Sequence, residues 1–503
     1  MTRRPASAGV VGEPGGDQSL PAPAPCADLK AVLPSTKVTR LPAAASPIAD
    51  PDEARRFLAA HPEIEFFEVI FTALSGVPRG KRLRRSEIMA VFEYGRFLPG
   101  SILVCDITGQ DCEDTGLVWA DGDADRLAKP VPGTLVPAPW LGADVAQVLT
   151  SMYELDGTAN DIDPRHVLRR VIDRFAADGL TPVVACELEY YLVDGHRTAS
   201  GGVVLAPSES TGELPTQHGV YGLRELQDAA GFLRELWTSA DAQGVPLEGA
   251  IAEYAPGQFE LTLHHGPDAL RAADEAVMYK RIAKGVASAC GCEATFMAKP
   301  FADRAGNGLH LHVSVNDAAG NNIFASEDPA GTPALRHAIG GMKATLADGM
   351  AIFAPNANTY RRFRANSYAP VAPTWGVNNR TVSLRVPAGP TAGRHVEHRV
   401  AGADANPYLA LAALLAGVHH GISGKIDPGP PVVGDGYAEA AKSDLRLPAN
   451  WFAAVDAFEA SAVMRDYLGA RFVEMFTSVK RTEQDRFFGV VTALDYDWYL
   501  KNA

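Results

Sequence analysis

The chain has 503 residues, of which 47% are hydrophobic and 21% charged, values typical of a globular protein with two or more domains. The formal net charge of −14, from 46 basic and 60 acidic residues, argues against nucleic acids and anionic membranes as partners. No apolar run approaches the length that crosses a bilayer, and the arginines at the start precede no apolar signal segment. The sequence therefore predicts a cytoplasmic protein that binds neither membrane nor nucleic acid.

The first third of the chain divides into a predicted tail and a small domain. Residues 1–46 are rich in Pro and Ala, a composition that disfavours a packed core, so we predict a disordered tail. A helix start is expected at Asp50-Pro51, and the turn Ser75–Pro78 between two extended segments predicts a hairpin. We expect a small α+β domain over residues 47–158.

Residues 159–503 are predicted to form one larger domain in which helices and strands alternate before a helical end. Hydrophobic periodicity predicts helices over 163–177, 223–242 and 267–289, and strands over 183–193, 258–263 and 309–315. A polar, glycine-rich insertion covers 194–221, and Asn406-Pro407 is expected to open the helical last hundred residues.

The strand Leu309–Val315 alternates apolar and polar side chains. Its leucines and valines share one face, while His310, His312 and Ser314 share the other. The turn Gly306-Asn307-Gly308 precedes it, and backbone N–H groups of such turns can approach anionic oxygen closely. This combination suits a metal and a phosphate, although HxH alone is more often a half-exposed strand with two solvated histidines.

Carboxylates elsewhere in the sequence favour the metal interpretation. Glu187 and Glu189 share one face of a strand whose neighbours are mostly apolar, and two buried carboxylates repel unless a cation or an arginine compensates them. Glu253 and Glu260 flank a Pro-Gly turn, although either could be an ordinary surface acid. Glu397 is the fifth glutamate, and an oxygen-dominated ligand set favours Mg²⁺ or Mn²⁺ over zinc.

The region after residue 360 supplies positive charge. Arg362, Arg380 and Arg385 are among the arginines of this region. Strand alternation also places His395, Glu397 and Arg399 on one face. Because the guanidinium group binds carboxylate and phosphate, the complete set of side chains predicts ATP-dependent activation of a carboxylate.

These motifs resemble the glutamine synthetase family over about residues 60–500. The segment Lys299–Ser314 resembles the ATP-region signature of that family. Further blocks in the family order are Glu187-Leu188-Glu189, Glu253–Glu260, Asn379-Arg380 and Ala405–Ala410. The resemblance implies an α+β fold, with an N-terminal β-grasp domain before a larger glutamine-synthetase-type α/β catalytic domain that contains a curved antiparallel sheet.

The resemblance also implies roles for individual residues. One metal ion would be held by Glu189, Glu253 and Glu260, and a second by Glu187, His310 and Glu397. ATP and its transferred phosphoryl group would contact His312, Ser314, Arg380 and Arg385. Glutamate would be bound by Gly306, Arg362 and Arg399. The residues expected to act in catalysis are Arg380, Arg399 and Glu189.

Cofactors and partners follow from the same resemblance. It implies ATP with two to three Mg²⁺ or Mn²⁺ ions per site, and glutamate with a small primary amine as substrates. It also implies a homododecamer of two hexameric rings whose neighbouring subunits share active sites.

Three positions depart from the family pattern. Pro99 replaces an aspartate that helps bind ammonium, Tyr368 replaces the glutamate of a flap, and His395 replaces an arginine. The first two changes remove negative charge from the ammonium site, which favours a bulkier amine in contact with Tyr368. The block Pro373–Val382 resembles the branch of γ-glutamylputrescine and γ-glutamylpolyamine synthetases.

The predicted function is ligation of the γ-carboxylate of glutamate to putrescine or another polyamine through γ-glutamyl phosphate. The alternatives are a glutamine synthetase that uses ammonium, a ligase for ethanolamine or an aromatic amine, and a non-enzymatic family member. The last would be free to lose metal ligands, yet all six are present. The acidic run from Asp106 to Asp125 could bind the distant ammonium group of a diamine, although a solvated loop explains it equally well.

Overall fold

The structure is a computed structural model that describes residues 47–199, 201–442 and 446–503; the predicted tail lies outside the described residues. The strands are β1 (Phe66–Thr72), β2 (Pro78–Arg84), β3 (Arg96–Pro99), β4 (Asp125–Pro130), β5 (Val136–Pro137), β6 (Val145–Tyr153), β7 (Thr181–Arg197), β8 (Val203–Leu205), β9 (Leu247–Ala252), β10 (Gln258–Leu263), β11 (Cys292–Thr295), β12 (Leu309–Asn316), β13 (Trp375–Val377), β14 (Leu384–Val386) and β15 (Val396–His398).

Helices surround these strands and dominate the last hundred residues, as predicted. They are α1 (Pro51–Ala60), α2 (Arg85–Tyr94), α3 (Pro164–Ala177), α4 (Leu223–Asp228), α5 (Ala230–Gln243), α6 (Ala269–Ala289), α7 (Pro333–Thr345), α8 (Met350–Phe353), α9 (Pro407–Gly424), α10 (Gly436–Lys442), α11 (Trp451–Ala460), α12 (Ala462–Leu468), α13 (Ala470–Phe488) and α14 (Ala493–Tyr499). Among the described residues, no helix is both long and apolar enough to cross a membrane.

The smaller sheet has six strands in the order β2-β1-β6-β4-β3, with β5 paired to β6. The predicted hairpin is confirmed, since β1 and β2 pair antiparallel around a turn in which Gly76 adopts a φ of +79°. The predicted helix start is also confirmed, because the Asp50 carboxylate accepts a hydrogen bond from the Asp52 backbone N–H at 2.7 Å. The β-grasp description and the domain boundary near residue 158 stay predictions.

The larger sheet has nine strands, seven of them in the order β13-β14-β15-β12-β7-β10-β9, and β7 also pairs with β8 and β11. All of its pairings are antiparallel except the one between β13 and β14. The strands predicted over 183–193, 258–263 and 309–315 correspond to β7, β10 and β12. The long strand β7 is therefore the centre of a mostly antiparallel sheet.

Two helix starts connect distant parts of the chain. The Asp163 carboxylate caps α3 by accepting the Arg165 N–H at 2.8 Å, and it also accepts the Met152 N–H of β6 at 2.7 Å. Asn406 caps α9 through the Tyr408 N–H at 3.1 Å, and its amide donates to the Ala73 carbonyl at 3.1 Å. The second contact holds the turn of the β1–β2 hairpin against the start of α9.

The helix predicted over 223–242 is interrupted at Ala229, where α4 ends and α5 begins. The Glu209 carboxylate accepts hydrogen bonds from the N–H groups of Gly231 and Phe232, at 2.7 and 2.9 Å. This carboxylate, which lies in the glycine-rich insertion, satisfies the first N–H groups of α5 and so starts a new helix there. Hydrophobic periodicity within 223–242 carries no information about a cap about 20 residues away.

Candidate active site

Strand register aligns acidic and imidazole side chains on one face of the larger sheet. Glu260 of β10 lies opposite Glu189 of β7, and Glu187 of β7 lies opposite His310 of β12. Side chains two residues apart point the same way, so these four groups form a row across three strands. His310 is only 6% exposed, and His312 on the same face is 8% exposed. The interpretation of this strand as half-exposed with solvated histidines is therefore wrong.

The row of polar side chains continues across two more strands, β15 and β14, and there it meets positively charged arginines. Glu397 of β15 lies opposite His312 on one side and opposite Arg385 of β14 on the other. The Arg385 Nη1 donates to Glu397 Oε2 at 2.8 Å, and the Arg399 Nη1 donates to Glu397 Oε1. Because Glu397 is 1% exposed, its charge is compensated by two guanidinium groups instead of by water.

His310 is the side chain shared by two groups of candidate metal ligands. Atoms of Glu187, His310 and Glu397 lie within 4.8 Å of one another, as do atoms of Glu189, Glu260 and His310. The His310 Nδ1 is 2.5 Å from Glu187 Oε1 and 3.9 Å from Glu397 Oε1, and its Nε2 is 3.8 Å from Glu189 Oε1.

One of the two expected sets of metal ligands is found together in the structure, and the other is only partly found. The set expected to hold one ion, Glu187 with His310 and Glu397, forms a single ligand group. In the set expected to hold the other ion, Glu189 and Glu260 form a group with His310, and Glu253 is not part of it. Glu253 nevertheless lies close enough to raise the negative potential at the cluster, because it interacts electrostatically with Glu189.

The pKa values of these carboxyls show an excess of buried negative charge. Burial and the nearby Glu189 raise the pKa of Glu253 to about 7, and burial with repulsion from Glu187 raises the pKa of Glu260 well above its usual range. Burial would also raise the pKa of Glu187, but hydrogen bonding to His310 and His312 lowers it well below its usual range. A divalent cation would relieve the repulsion, and the many carboxylate oxygens suit Mg²⁺ or Mn²⁺.

The arginines beside this cluster have donors to spare. The Nε atoms of Arg362, Arg385 and Arg399 are buried, and none has a hydrogen-bond partner among the described residues. Although burial would raise the pKa of Glu397, Arg399 lowers it to about 2, so that carboxylate stays ionised. Buried guanidinium N–H groups without acceptors are costly. An anionic ligand would supply the missing acceptors.

The glycine turn before β12 packs directly against Arg362. A Cβ atom at Gly306 would lie 2.6 Å from Cγ of Arg362 and 2.7 Å from the Ala298 carbonyl oxygen, so only glycine fits. The Gln258 amide donates to the Gly306 carbonyl at 3.1 Å. The Gly308 N–H donates to Glu189 Oε2 at 2.6 Å. That N–H group is therefore engaged by a carboxylate and is not free for phosphate.

Three residues with expected roles lie outside the carboxylate cluster. Arg380 is exposed after β13 and makes no hydrogen bond or ion pair with the described residues, while Ser314 is half-buried on β12. Tyr368 is 59% exposed in the loop after Arg362, with a φ of +57°. The structure thus leaves Arg380 and Tyr368 at the surface.

The acidic run of the smaller domain is partly engaged in local contacts. The Asp106 carboxylate accepts hydrogen bonds from Thr108 and Gln110, and from Arg486 at 2.5 Å. Asp121 forms an ion pair with Arg126 at 2.8 Å. These two carboxylates have protein partners, which weakens the idea that the whole run binds a diamine.

The sequence did not indicate His265, which lies beside the site. It follows β10, and the next residue, Gly266, exchanges two backbone hydrogen bonds of 3.0 Å with Val184 of β7. This bridge places the His265 ring with its centroid 5.5 Å from that of His312. Only the tertiary pairing of Val184 with Gly266 creates the contact, so no local pattern could have predicted it.

This arrangement places buried carboxylates, which suit divalent cations, next to guanidinium groups, which suit anions, and similarity to known proteins identifies the class of protein that carries it. The family model described as "Glutamine synthetase, catalytic domain" matches residues 161–499. The chain belongs to the glutamine synthetase family.

Several relatives in this family carry names that specify an amine. The chain is 38% identical to gamma-glutamylputrescine synthetase PuuA of Escherichia coli (strain K12), over 90% of this chain and 95% of that protein. It is 31% identical to glutamate–isopropylamine ligase of a Pseudomonas species, over 85% and 93% of the two chains. It is 30% identical to gamma-glutamylethanolamide synthetase GlnA4 of Streptomyces coelicolor, over 89% and 94%.

Two solved structures resemble most of the chain. The structure described as "Apo GmaS without ligand" superimposes with a TM-score of 0.76 at 30% identity, and covers 88% of this chain and 98% of its own. A GmaS/ADP complex superimposes with a TM-score of 0.75 at the same identity. The predicted family, the glutamine-synthetase-type catalytic fold and the class of glutamate–amine ligase are confirmed by these similarities.

The raised pKa of Glu253 leads to a prediction about cation binding. Because a carboxylate must lose its proton to bind a cation, Mg²⁺ affinity should fall about tenfold per pH unit below pH 7 and level off above it. Isothermal titration of Mg²⁺ into the protein between pH 6 and 8 measures the affinity and the protons released.

Glu253→Gln should weaken Mg²⁺ binding at pH 8 and flatten the pH dependence, whereas the exposed Glu213→Gln should change neither. Equal Mg²⁺ affinity at pH 6 and pH 8 in the unmodified protein would contradict this prediction.

Proposed function

We propose that this protein ligates the γ-carboxylate of glutamate to a primary amine with ATP, and that the preferred amine is putrescine or another polyamine. The observation that carries the proposal is the cluster of buried carboxylates next to arginines whose Nε donors have no partner among the described residues. Such a cluster suits a cation–nucleotide complex, and the arginines suit an anionic substrate. The preference for a polyamine is supported by the similarity to gamma-glutamylputrescine synthetase.

The proposed reaction has two steps. An oxygen of the glutamate γ-carboxylate bonds to the γ-phosphorus of ATP, the bond from that phosphorus to the β–γ bridging oxygen breaks, and ADP leaves. The amine nitrogen then bonds to the acyl carbon, phosphate leaves, and the amine gives up one proton. Bound Mg²⁺ or Mn²⁺ ions would offset negative charge on the phosphates during transfer.

The role of each residue in this reaction would follow from its charge. Glu187, Glu189, Glu253, Glu260, His310 and Glu397 would hold the ions. The buried Arg362 and Arg399 would orient the glutamate substrate, since each retains a buried Nε donor that has no partner among the described residues. Arg385, His312 and Ser314 would contact the nucleotide, and Arg380 would reach the transferred phosphoryl group from its exposed loop. The fixed positive charge of Arg380 and Arg385 would stabilise the transition state.

The amine site differs from one that is built for ammonium. Two family carboxylates are replaced, by Pro99 at the end of β3 and by Tyr368 in the exposed loop. Loss of both negative charges disfavours a small cation, and a tyrosine ring offers apolar surface to an alkyl chain. Monoamines are the second candidate, because relatives named for isopropylamine and ethanolamine are about as similar to this chain as the glutamine synthetases.

A panel of amines tests the proposed function directly. Phosphate release from ATP with glutamate and Mg²⁺ should be strong with putrescine or spermidine and weak with ammonium, ethanolamine and aniline. Turnover should stop when Mg²⁺ is chelated. If ammonium has the highest kcat/KM, the protein is a glutamine synthetase with a rebuilt ammonium site, and the polyamine proposal is wrong.

Tyr368 should affect amine recognition. Loss of a ring that packs against an alkyl chain costs about 1.4 kcal/mol, so Tyr368→Ala should lower kcat/KM for putrescine by about tenfold and leave glutamate KM unchanged. Tyr221→Ala is the matched control, since Tyr221 is also exposed, at 62%, and also has a positive φ, of 58°. Similar effects of the two substitutions would exclude a specific role for Tyr368.

We further propose that the chain self-associates, in keeping with the expected double hexameric rings. The residues after α13 expose many large apolar side chains. They are Val490, Val491, Leu494, Tyr496, Trp498, Tyr499 and Leu500, each more than half exposed. None of the residues of α14 is buried. A contiguous apolar patch of this kind is typical of a protein–protein contact, here with another copy of the chain.

A cytoplasmic location stays a prediction of the sequence.

Charge placed in this patch should break the assembly. Trp498→Asp combined with Leu500→Asp should lower the native mass measured by light scattering, because burial of carboxylates against apolar surface is costly. Val433→Asp is the control, since Val433 is 93% exposed in a different loop. An unchanged native mass in the double variant would mean that this segment does not hold subunits together.

A further inference from the structure

Three histidines from separate elements meet at one edge of the carboxylate cluster. His312 comes from β12, His395 precedes β15, and His265 follows β10. Their ring centroids form a nearly equilateral triangle, with sides of 5.2, 5.4 and 5.5 Å. One nitrogen from each ring lies within 4.8 Å of the other two. None of the roles proposed above uses His265 or His395.

Hydrogen bonds determine which nitrogens face one another. The His395 Nδ1 lies 2.7 Å from the Gly393 carbonyl oxygen, which only accepts, so Nδ1 carries the proton and Nε2 presents a lone pair. The His312 Nε2 lies 3.5 Å from a Glu187 carboxylate oxygen and has no hydrogen-bond partner among the described residues. The His395 Nε2 lone pair faces the His312 Nδ1 at 3.1 Å, and that contact is filled either by a proton on Nδ1 or by a cation that both nitrogens ligate.

The contact between these two nitrogens can hold either a proton or a metal ion, and the third ring distinguishes the two. A shared proton would bridge His312 and His395 but would leave His265 Nε2, a buried atom without a hydrogen-bond partner in the described residues, still unpartnered. A metal ion would engage all three rings. Tetrahedral zinc with Zn–N bonds of 2.0–2.1 Å separates its ligand nitrogens by about 3.3 Å, close to the separation between His312 and His395.

We propose that His265, His312 and His395 form a binding site for a borderline divalent metal ion, represented by Zn²⁺, separate from the carboxylate site for Mg²⁺ or Mn²⁺. Imidazole nitrogen prefers Zn²⁺ and its neighbours in the transition series, whereas carboxylate oxygen prefers Mg²⁺ and Mn²⁺. The Glu187 carboxylate near His312 Nε2 and the Gly393 carbonyl at His395 Nδ1 are the outer partners that orient metal-binding histidines.

Occupancy of this site would affect the enzyme through His312. In the proposed function that residue contacts ATP, so a zinc ion bound to it would compete with the nucleotide. This consequence alone depends on the proposed function, whereas metal binding by the three histidines does not. The two sites would then respond to different metals, with one supporting turnover and the other suppressing it.

Titration of Zn²⁺ into the full chain tests the site, after removal of bound metal and in excess Mg²⁺ to fill the carboxylate site. The unmodified protein should bind one Zn²⁺ per chain, and His265→Asn should weaken that binding by at least about tenfold. His264→Asn is the matched control. His264 is the adjacent residue in the chain, but its side chain is exposed and pairs with Glu248, so zinc affinity should not change.

A second variant and a second measurement distinguish loss of the zinc site from misfolding of the variant. His395→Asn should also weaken zinc binding at least tenfold, and circular dichroism together with Mg²⁺ titration should show that each variant retains its fold and its carboxylate site. The proposal is wrong if the unmodified protein binds no Zn²⁺ in excess Mg²⁺, or if folded His265→Asn binds Zn²⁺ as tightly as His264→Asn. Weaker zinc inhibition of ATP turnover in His265→Asn would extend the result to function.

Discussion

The register between β7 and β12 is the constraint on which the site depends. It sets His310 opposite Glu187, and the same alternation sends Leu309, Leu311, Val313 and Val315 into the core. A shift of one residue would exchange the two faces of β12, burying histidines in apolar surroundings and placing four aliphatic side chains on the face of the carboxylate cluster. The cost of that exchange keeps the register fixed. The apolar face of β12 therefore positions the ligands on its polar face.

The groups of the site destabilise the fold, whereas the apolar packing of β12 stabilises it. Its carboxylates are held close together in a buried place, where two of their pKa values are raised, and its arginines retain buried donors that have no partner in the part of the chain that the structure describes. Such groups destabilise a fold unless a ligand compensates them. The core that extends from Ile70 of the smaller sheet to Val479 of α13 supplies the compensation in the absence of ligand. Binding of cations and anions would then stabilise the chain as well as prepare it for reaction.

The sequence predicted those features of the site in which strand periodicity controls the direction of a side chain. It was less informative about features in which loops and tertiary contacts determine the position of a side chain. Alternation correctly placed Glu187 with Glu189 and His310 with His312, whereas the ligand set of Glu189, Glu253 and Glu260 that the family resemblance implied differs from the observed group, in which His310 stands instead of Glu253. The sequence did not show that Glu189 takes the Gly308 N–H or that Arg380 is exposed. The cap that Glu209 supplies to α5 was equally invisible. These features depend on which distant backbone lies nearby, and a single sequence does not encode that in any local pattern.

The histidine at position 395 shows how one substitution can change the chemistry of a site without changing the fold. An arginine there would add another cation beside Arg385 and Arg399 and would serve an anion. A neutral imidazole instead removes a positive charge and adds a lone pair that faces His312. With His265 brought in by the Val184–Gly266 bridge, the three histidines form a nitrogen-rich cluster at this edge. The oxygen-rich cluster remains intact next to it. Hard and borderline cations can therefore be separated by ligand type over a few ångströms of one sheet face.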